Sequence, residues 1–342
     1  QQDILSMTLP ELQAAVQELG EPKFRAKQIF NWLHQKRVTD FSEMTTLSLP
    51  FRERLASDFC INRLKIAKRL ASSVDDTVKY LYELPDGNYV ETVCMQYHHG
   101  TSLCISTQVG CRMGCRFCAS AIAGFVRNLT PAEMLLQIYE TERAQNCKIS
   151  SLVLMGIGEP LDNFDNVLRF LQLLSDPNGY GMSLRHVTVS TCGVVPKILE
   201  LAEQRLGLTL SVSLHCPNDA GRSAIMPINR SYPIDVLLDA CQTYFEKTGR
   251  RVTFEYAVME QVNSAEQDAA ALAERLKGLH AHVNLIPINP VKERNFHTLK
   301  KTVLQFQKTL ERYGIPATIR RTLGSDIEAA CGQLRRDAIQ QT

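Results

Sequence analysis

The spacing of apolar and polar positions changes period twice along the chain. The first ~60 residues carry helical spacing only. Thr8-Leu-Pro-Glu-Leu-Gln-Ala-Ala-Val-Gln-Glu-Leu begins with a helix-starting Thr8, places Pro10 and Glu11 in the first turn, and meets its stop at Gly20. A second helix is predicted over about 24–35, with Ile29, Phe30 and Leu33 along one side. The period then drops to two. Thr77-Val-Lys-Tyr-Leu-Tyr-Glu alternates, Pro85-Asp-Gly87 turns, and Tyr89-Val-Glu-Thr-Val-Cys94 returns, which predicts a β-hairpin. From Ser102 onward, short apolar runs alternate with helical stretches; the runs begin at Leu103, Leu152, His186, Leu208, Val252 and His282. These units predict an α/β fold, a parallel sheet wrapped by helices. Thr130-Pro-Ala-Glu133 marks one helix start, a capping box with proline in the first turn. The pattern alone does not separate an open sheet from a barrel.

Composition adds limits. The 342 residues are 44% hydrophobic and 22% charged with net charge +2, enough for one large domain with a small companion. That balance does not announce a nucleic-acid binder, although charge can cluster. Lys23, Arg25, Lys27, Lys36 and Arg37 surround the second helix; a solvated face is the favoured reading from sequence, and a module resting on RNA phosphates is the functional one. No apolar run approaches the ~18 residues of a membrane span, and the N-terminus lacks a basic n-region and an apolar h-region. The expected setting is therefore a reducing cytoplasm without a membrane partner, where eleven cysteines suggest metal or redox chemistry more than a disulfide framework.

Cys111-Arg-Met-Gly-Cys115-Arg-Phe-Cys118 is the strongest chemical signal. Its C-x3-C-x2-C spacing can put three thiolates around one compact cluster. A four-iron, four-sulfur cubane normally takes four thiolates, so three leave one iron open to chelate a small molecule. This spacing is the signature of the radical S-adenosylmethionine (SAM) enzymes. The competing reading is structural zinc, which takes four N or S ligands. Cys104, seven residues upstream, could complete such a site in a zinc-stabilised, non-catalytic RNA-binding protein. Iron and sulfide in a brown, oxygen-sensitive protein would exclude zinc.

Six further segments, in order, narrow the reading: Leu103-Cys-Ile-Ser-Thr-Gln-Val-Gly-Cys111, Met155-Gly-Ile-Gly-Glu-Pro-Leu161, Ser190-Thr-Cys-Gly-Val-Val-Pro196, Ser213-Leu-His215, Asn284-Leu-Ile-Pro-Ile-Asn-Pro290 and Asp326-Ile-Glu-Ala-Ala-Cys-Gly-Gln-Leu334. Over nearly its whole length the chain resembles the radical SAM rRNA methyltransferases of the RlmN and Cfr family. The resemblance implies a partial (β/α)6 barrel over 101–320, a small helical RNA-contacting domain over 1–65, a β-hairpin extension over 66–100, and a tail over 321–342 that carries a catalytic cysteine. It implies methylation of the adenosine at position 2503 of 23S rRNA (usual rRNA numbering), at C2 in RlmN and at C8 in the resistance-conferring Cfr. Gly158-Glu-Pro-Leu161 favours the RlmN side. Some RlmN members also methylate a tRNA adenosine beside the anticodon. An electron donor such as flavodoxin and a monomeric state complete the expectation.

The same resemblance assigns roles. Cys111, Cys115 and Cys118 would hold a [4Fe-4S] cluster. SAM, two per turnover, would meet Gly158, Glu159, Ser190, Ser213, Leu214, His215 and Asn289. Adenine C2 has no lone pair with which to attack a methyl sulfonium, so a radical route is needed and the cofactor carries the hard step. In the implied scheme Cys331 takes a methyl group, a methylene radical made from it adds to C2, Glu91 accepts the C2 proton, and Cys104 resolves the adduct by forming a disulfide with Cys331. Read alone, Cys331 would be packing, Glu91 an exposed hairpin carboxylate, and His215 a structural histidine. Cys60, Cys94, Cys147, Cys192, Cys216 and Cys241 read as small apolar residues, with Cys192 and Cys216 beside SAM positions.

Overall fold

A computed structural model of the chain describes residues 1–288 and 296–327; Asn289 and Cys331 lie outside them. Ten strands form one sheet whose spatial order is the order along the chain. They are β1 Lys65–Ala71, β2 Val78–Glu83, β3 Tyr89–Tyr97, β4 Gly100–Cys104, β5 Ile149–Leu154, β6 Val187–Thr191, β7 Thr209–Ser213, β8 Val252–Val258, β9 Ala281–Pro287 and β10 Ala317–Ile319. Strands β1 to β4 make an antiparallel meander, and β4 to β10 run parallel. Parallel neighbours need long crossovers. Helices supply them: α4 Pro131–Gln145, α5 Phe164–Ser175, α6 Val195–Glu203, α7 Asp219–Ile225, α8 Ile234–Thr248, α9 Glu266–Leu276 and α10 Lys300–Arg312. The edges β1 and β10 do not pair with each other, so the barrel is a partial one.

The six apolar runs became β4 to β9. The hairpin also formed, as β2 and β3, but it is no appendage: β3 pairs with β4, Val93 opposite Cys104, and the meander continues into the barrel sheet. Strand β3 is buried on both faces from Val90 to Cys94, so it needs cover on each side. Strand β1 escaped the sequence reading because Lys-Ile-Ala-Lys-Arg-Leu-Ala is an edge strand exposed on both faces, with no alternation to detect.

The N-terminal region holds α1 Leu9–Glu18, α2 Phe24–Asn31 and α3 Leu49–Asp58. Helix α1 starts as read. The Glu11 carboxylate accepts from Thr8 N at 2.9 Å, and Gly20 turns out of the helix at φ +78°. The region is not helical throughout, because Gln2–Asp3 lies parallel to Phe59–Cys60 as a two-residue bridge. After Asn31, α2 widens into a π turn over Trp32–Lys36 that ends on left-handed Arg37. That turn buries His34 against α4, with Nδ1 2.9 Å from the Tyr139 hydroxyl. A single core runs from Ile4 through the barrel to Ala317. No helix among the described residues is long and apolar enough to cross a membrane.

Burial pushes His34 down to about 3. Unfolded, it binds its proton near pH 6.5, so its contribution is intact above that pH and is lost as pH falls towards 3. Between pH 7.5 and 5 this group should cost about 2 kcal/mol. His34→Gln should flatten the decline of the urea midpoint over that range; an unchanged slope would remove His34 from the account.

Candidate active site

One cavity of about 380 Å³ lies at the carboxyl ends of the parallel strands and is touched by residues from β3 through the segment after β10. Strands far apart in the sheet meet there, so the sheet curls around it. Cys104, Cys111, Cys115, Cys118, Gly158, Glu159, Ser190, Ser213 and His215 all face it. Leu214 does not: its side chain is fully buried in the core. Cys331 and Asn289 lie outside the described residues.

The cysteine loop is the hairpin connection between two short strands, Gln108–Gly110 and Phe125–Asn128. Gly110 closes its base at φ +79°, where a Cβ would stand 1.7 Å from Gly124 O; no other residue fits. Cys111 N donates to Gly124 O at 3.2 Å and Arg116 N to Ile225 O at 2.9 Å. Arg112 pairs with Asp162 at 2.8 Å. Met113, Cys115 and Phe117 pack on an apolar patch of Cys192, Cys216, Ile225, Met226 and Met259. Burial, with the neighbouring thiols adding to it, pushes Cys111 up to about 12 and Cys115 up as well. Three soft donors on one loop, close enough to repel one another as thiolates, form a donor set that fits an iron–sulfur cluster. A cluster would stabilise the thiolates and release their protons. Cys104 belongs to strand β4, not to the loop.

The Gly-x-Gly-Glu segment after β5 is shaped by the chain beside it. A Cβ on Gly156 would meet Ile105 O at 2.5 Å, and one on Gly158 (φ +109°) would meet Gln108 Cβ at 2.6 Å. Gln108 is therefore the hidden partner of this motif. It is buried, its Oε1 accepts from Glu159 N at 2.8 Å, and its Nε2 donates to Asp162 and Asn128. The Glu159 carboxylate accepts from Leu161 N at 3.0 Å and Cys192 N at 2.7 Å. Burial raises its proton affinity, and those N–H groups oppose the rise. Carboxylate oxygens keep lone pairs for an ammonium group in the cavity.

His215 holds a left-handed backbone at φ +58° at the end of β7. The strain is supported: Ala257 N donates to its Nδ1 at 2.8 Å, and Asn263 Nδ2 donates to its carbonyl at 2.6 Å. Burial pushes its pKa down to about 3, so the ring is neutral, and its edge meets Phe117 of the cysteine loop at 4.6 Å. Arg222, fully buried, donates to the carbonyls of Cys192, Ser213 and Leu214 and to Asn229 Oδ1. It ties the ends of β6 and β7 together under Ser190 and Ser213. Glu255 completes the far wall, accepting from Ser211 Oγ and Asn284 Nδ2. None of these supporting residues was legible as a motif.

Glu91 is no exposed carboxylate. It sits on β3 at 0% exposure, and Lys79 Nζ on β2, also at 0%, lies 2.8 Å from its Oε2. Both belong to the sheet face on which Thr77, Val93 and Met95 line the cavity. Glu91 itself stops short of the cavity wall. Cys104, opposite Val93, is its neighbour across the ladder. The ten described cysteines are free thiols.

Comparisons agree with this geometry. Residues 2–61 match the ribosomal RNA large subunit methyltransferase N-terminal domain, and residues 105–273 match the radical SAM superfamily. The chain is 50% identical to the probable dual-specificity RNA methyltransferase RlmN of Lachnoclostridium phytofermentans, over 99% of this chain and 96% of that protein. It is 48% identical to the protein of the same name in Clostridium novyi, over 99% of both. The crystal structure of a radical SAM methyltransferase from Sphaerobacter thermophilus matches with a TM-score of 0.93 at 40% identity, covering 97% of this chain and 99% of that one. A three-cysteine loop on the cavity of a partial barrel, joined to that N-terminal domain, places the chain in the RlmN family of radical SAM methyltransferases.

Proposed function

We propose that the chain methylates C2 of an adenine in folded RNA, in 23S rRNA and in tRNA. The observation that carries this is the disposition of thiols. Three stand on the loop as cluster ligands, and a fourth, Cys104, faces the same cavity from a strand. With a [4Fe-4S] cluster on Cys111, Cys115 and Cys118 and SAM at its open iron, the site gains a source of the 5′-deoxyadenosyl radical. Glu159 would accept from the SAM amino group, with Ser190, Ser213 and His215 along the remaining wall; Asn289, outside the described residues, belongs to the same proposed set. The apolar packing around Met113, Cys115 and Phe117 keeps water from the reacting centre.

Cys331 carries the methyl group that becomes the new carbon on the base. Once its methylene radical has added to C2, Glu91 takes the C2 proton and the adduct gives up its unpaired electron, which the oxidised cluster would accept. The Cys104 thiolate then attacks the Cys331 sulfur: the S–S bond forms, the S–CH2 bond breaks, and the released carbon takes a proton to become methyl. A two-electron reductant reopens the disulfide. The domain boundaries at 65 and 320, the cytoplasmic setting, the monomeric state and the flavodoxin-type donor belong to the same proposal.

The test is anaerobic incubation with SAM, a reductant and either a 23S rRNA fragment or a tRNA transcript, then mass spectrometry of nucleosides. 2-Methyladenosine from the wild type and none from Cys331→Ala is the expected result. 8-Methyladenosine would move the chain to the Cfr chemistry, and no methylated adenosine from protein with an intact cluster would overturn the assignment.

A further inference from the structure

The turn between β1 and β2 grips the segment that leads to Cys331. Asp326 extends its carboxylate into that turn. Oδ1 accepts from Ser72 Oγ at 2.6 Å, and Oδ2 accepts from Ser73 N at 2.7 Å and Ser73 Oγ at 2.9 Å. Two residues earlier, Gly324 N donates to Asp75 Oδ2 at 2.8 Å. The receiving turn is already organised: Val74 N and Asp75 N donate to Ser72 Oγ, and Thr77 N donates to Asp75 Oδ1. These contacts join opposite edges of the open sheet, since the turn follows β1 and Asp326 follows β10. They also sit at the cavity rim, because Thr77, just past the turn, and Arg320 to Leu323, just before the gripped segment, line the cavity.

We propose that the Ser72–Asp75 turn is a releasable clasp that sets where the tail leaves the barrel, and so where Cys331 is delivered. The inference rests on Cys331 being the methyl-carrying thiol. Asp326, Ser72 and Ser73 touch no reacting atom; they are positioning residues. Cys331 follows Asp326 by five residues, which reach at most about 17 Å from the clasp. With the clasp open, the tether runs back to Ile319, twelve residues, with a reach of about 40 Å. Effective concentration falls as about the 3/2 power of tether length, so opening should cost roughly fourfold in the encounter of Cys331 with Cys104. Asp326 and Ser73 are exposed, so water competes for their bonds and the clasp can open without disturbing the barrel.

The experiment compares full-length holoenzyme, prepared anaerobically, with Asp326→Ala and with a Ser72→Ala/Ser73→Ala double variant. Hydrogen exchange at 324–327 should quicken about tenfold while β4 to β9 stay unchanged. Pairing of Cys104 with Cys331 by oxidised glutathione, which takes up the two electrons, should slow roughly fourfold. RNA methylation kcat should fall by a similar factor with KM for SAM unchanged, and Asp326→Asn, which keeps an oxygen acceptor, should recover most of the loss. Unchanged exchange at 324–327 would mean that there is no clasp. Faster exchange with unchanged thiol pairing and unchanged kcat would leave a surface contact without a positioning role. If Cys331→Ala still methylates RNA, the reading of the tail thiol fails, and the delivery role with it; the exchange result stands apart from that outcome.

Discussion

A Cys115→Ala chain should purify colourless, with iron and sulfide near background, and should make less than about 0.1% of the wild-type 2-methyladenosine, because the cofactor and not the protein carries the hard step. The loop explains the size of the effect. It offers three thiols, and removing one leaves two irons without a protein ligand. No described thiol can take its place. Cys104 is fixed in the β4 ladder, and the Cys192 thiol is held to Glu159 at the end of β6. Cys192→Ala is therefore the matched control. It removes a buried thiol from the same cavity wall and the same apolar patch, yet should keep its iron and sulfide. Metal and sulfide analysis with nucleoside mass spectrometry reads both variants. Full iron in Cys115→Ala, or none in Cys192→Ala, would mean that the loop triad is not the ligand set.

The contrast between these two cysteines shows what sequence could reveal. Cys111, Cys115 and Cys118 lie seven positions apart at most, so their geometry is local and the spacing carries it. The capping boxes at Thr8 and Thr130 and the six apolar runs were readable for the same reason: each is written within one element. Gln108 lies inside one of the matching segments, yet its role was not readable, and Arg222 lies in none. Gln108 matters because the chain after β5 crosses it within van der Waals range of two glycines. Arg222 matters because the ends of β6 and β7 converge on it. Both facts depend on strand order and on crossovers that no short window contains. Glu91 illustrates an intermediate case. Its place in the hairpin was readable, and its partner was in principle readable too. A turn at Pro85-Asp-Gly87 sets Lys79 opposite Val93 and diagonal to Glu91, within reach of a long side chain. What the hairpin could not reveal was that it would join a curled sheet whose inner face is buried.

That burial makes Lys79→Met the second variant with a large expected effect. Lys79 and Glu91 are both at 0% exposure, 2.8 Å apart. Removing the ammonium takes a buried opposite charge away from the carboxylate, a change that typically costs about 3–5 kcal/mol. The Lys79→Met/Glu91→Gln double variant no longer buries a charge there and should recover most of that loss; the coupling read from the four-member cycle is the measurement. Catalysis divides the same variants differently. Lys79 fixes the Glu91 carboxylate through the 2.8 Å ion pair, so its loss also displaces the proposed proton acceptor. Lys79→Met should therefore lose most of its methylation activity, read as the rate of 2-methyladenosine formation. The double variant, though stable, should stay inactive at every pH. Recovery of stability and activity together in the double variant would make the pair a packing device and remove Glu91 from the chemistry. Recovery of stability alone ties the buried carboxylate to proton transfer, with Lys79 holding it in place.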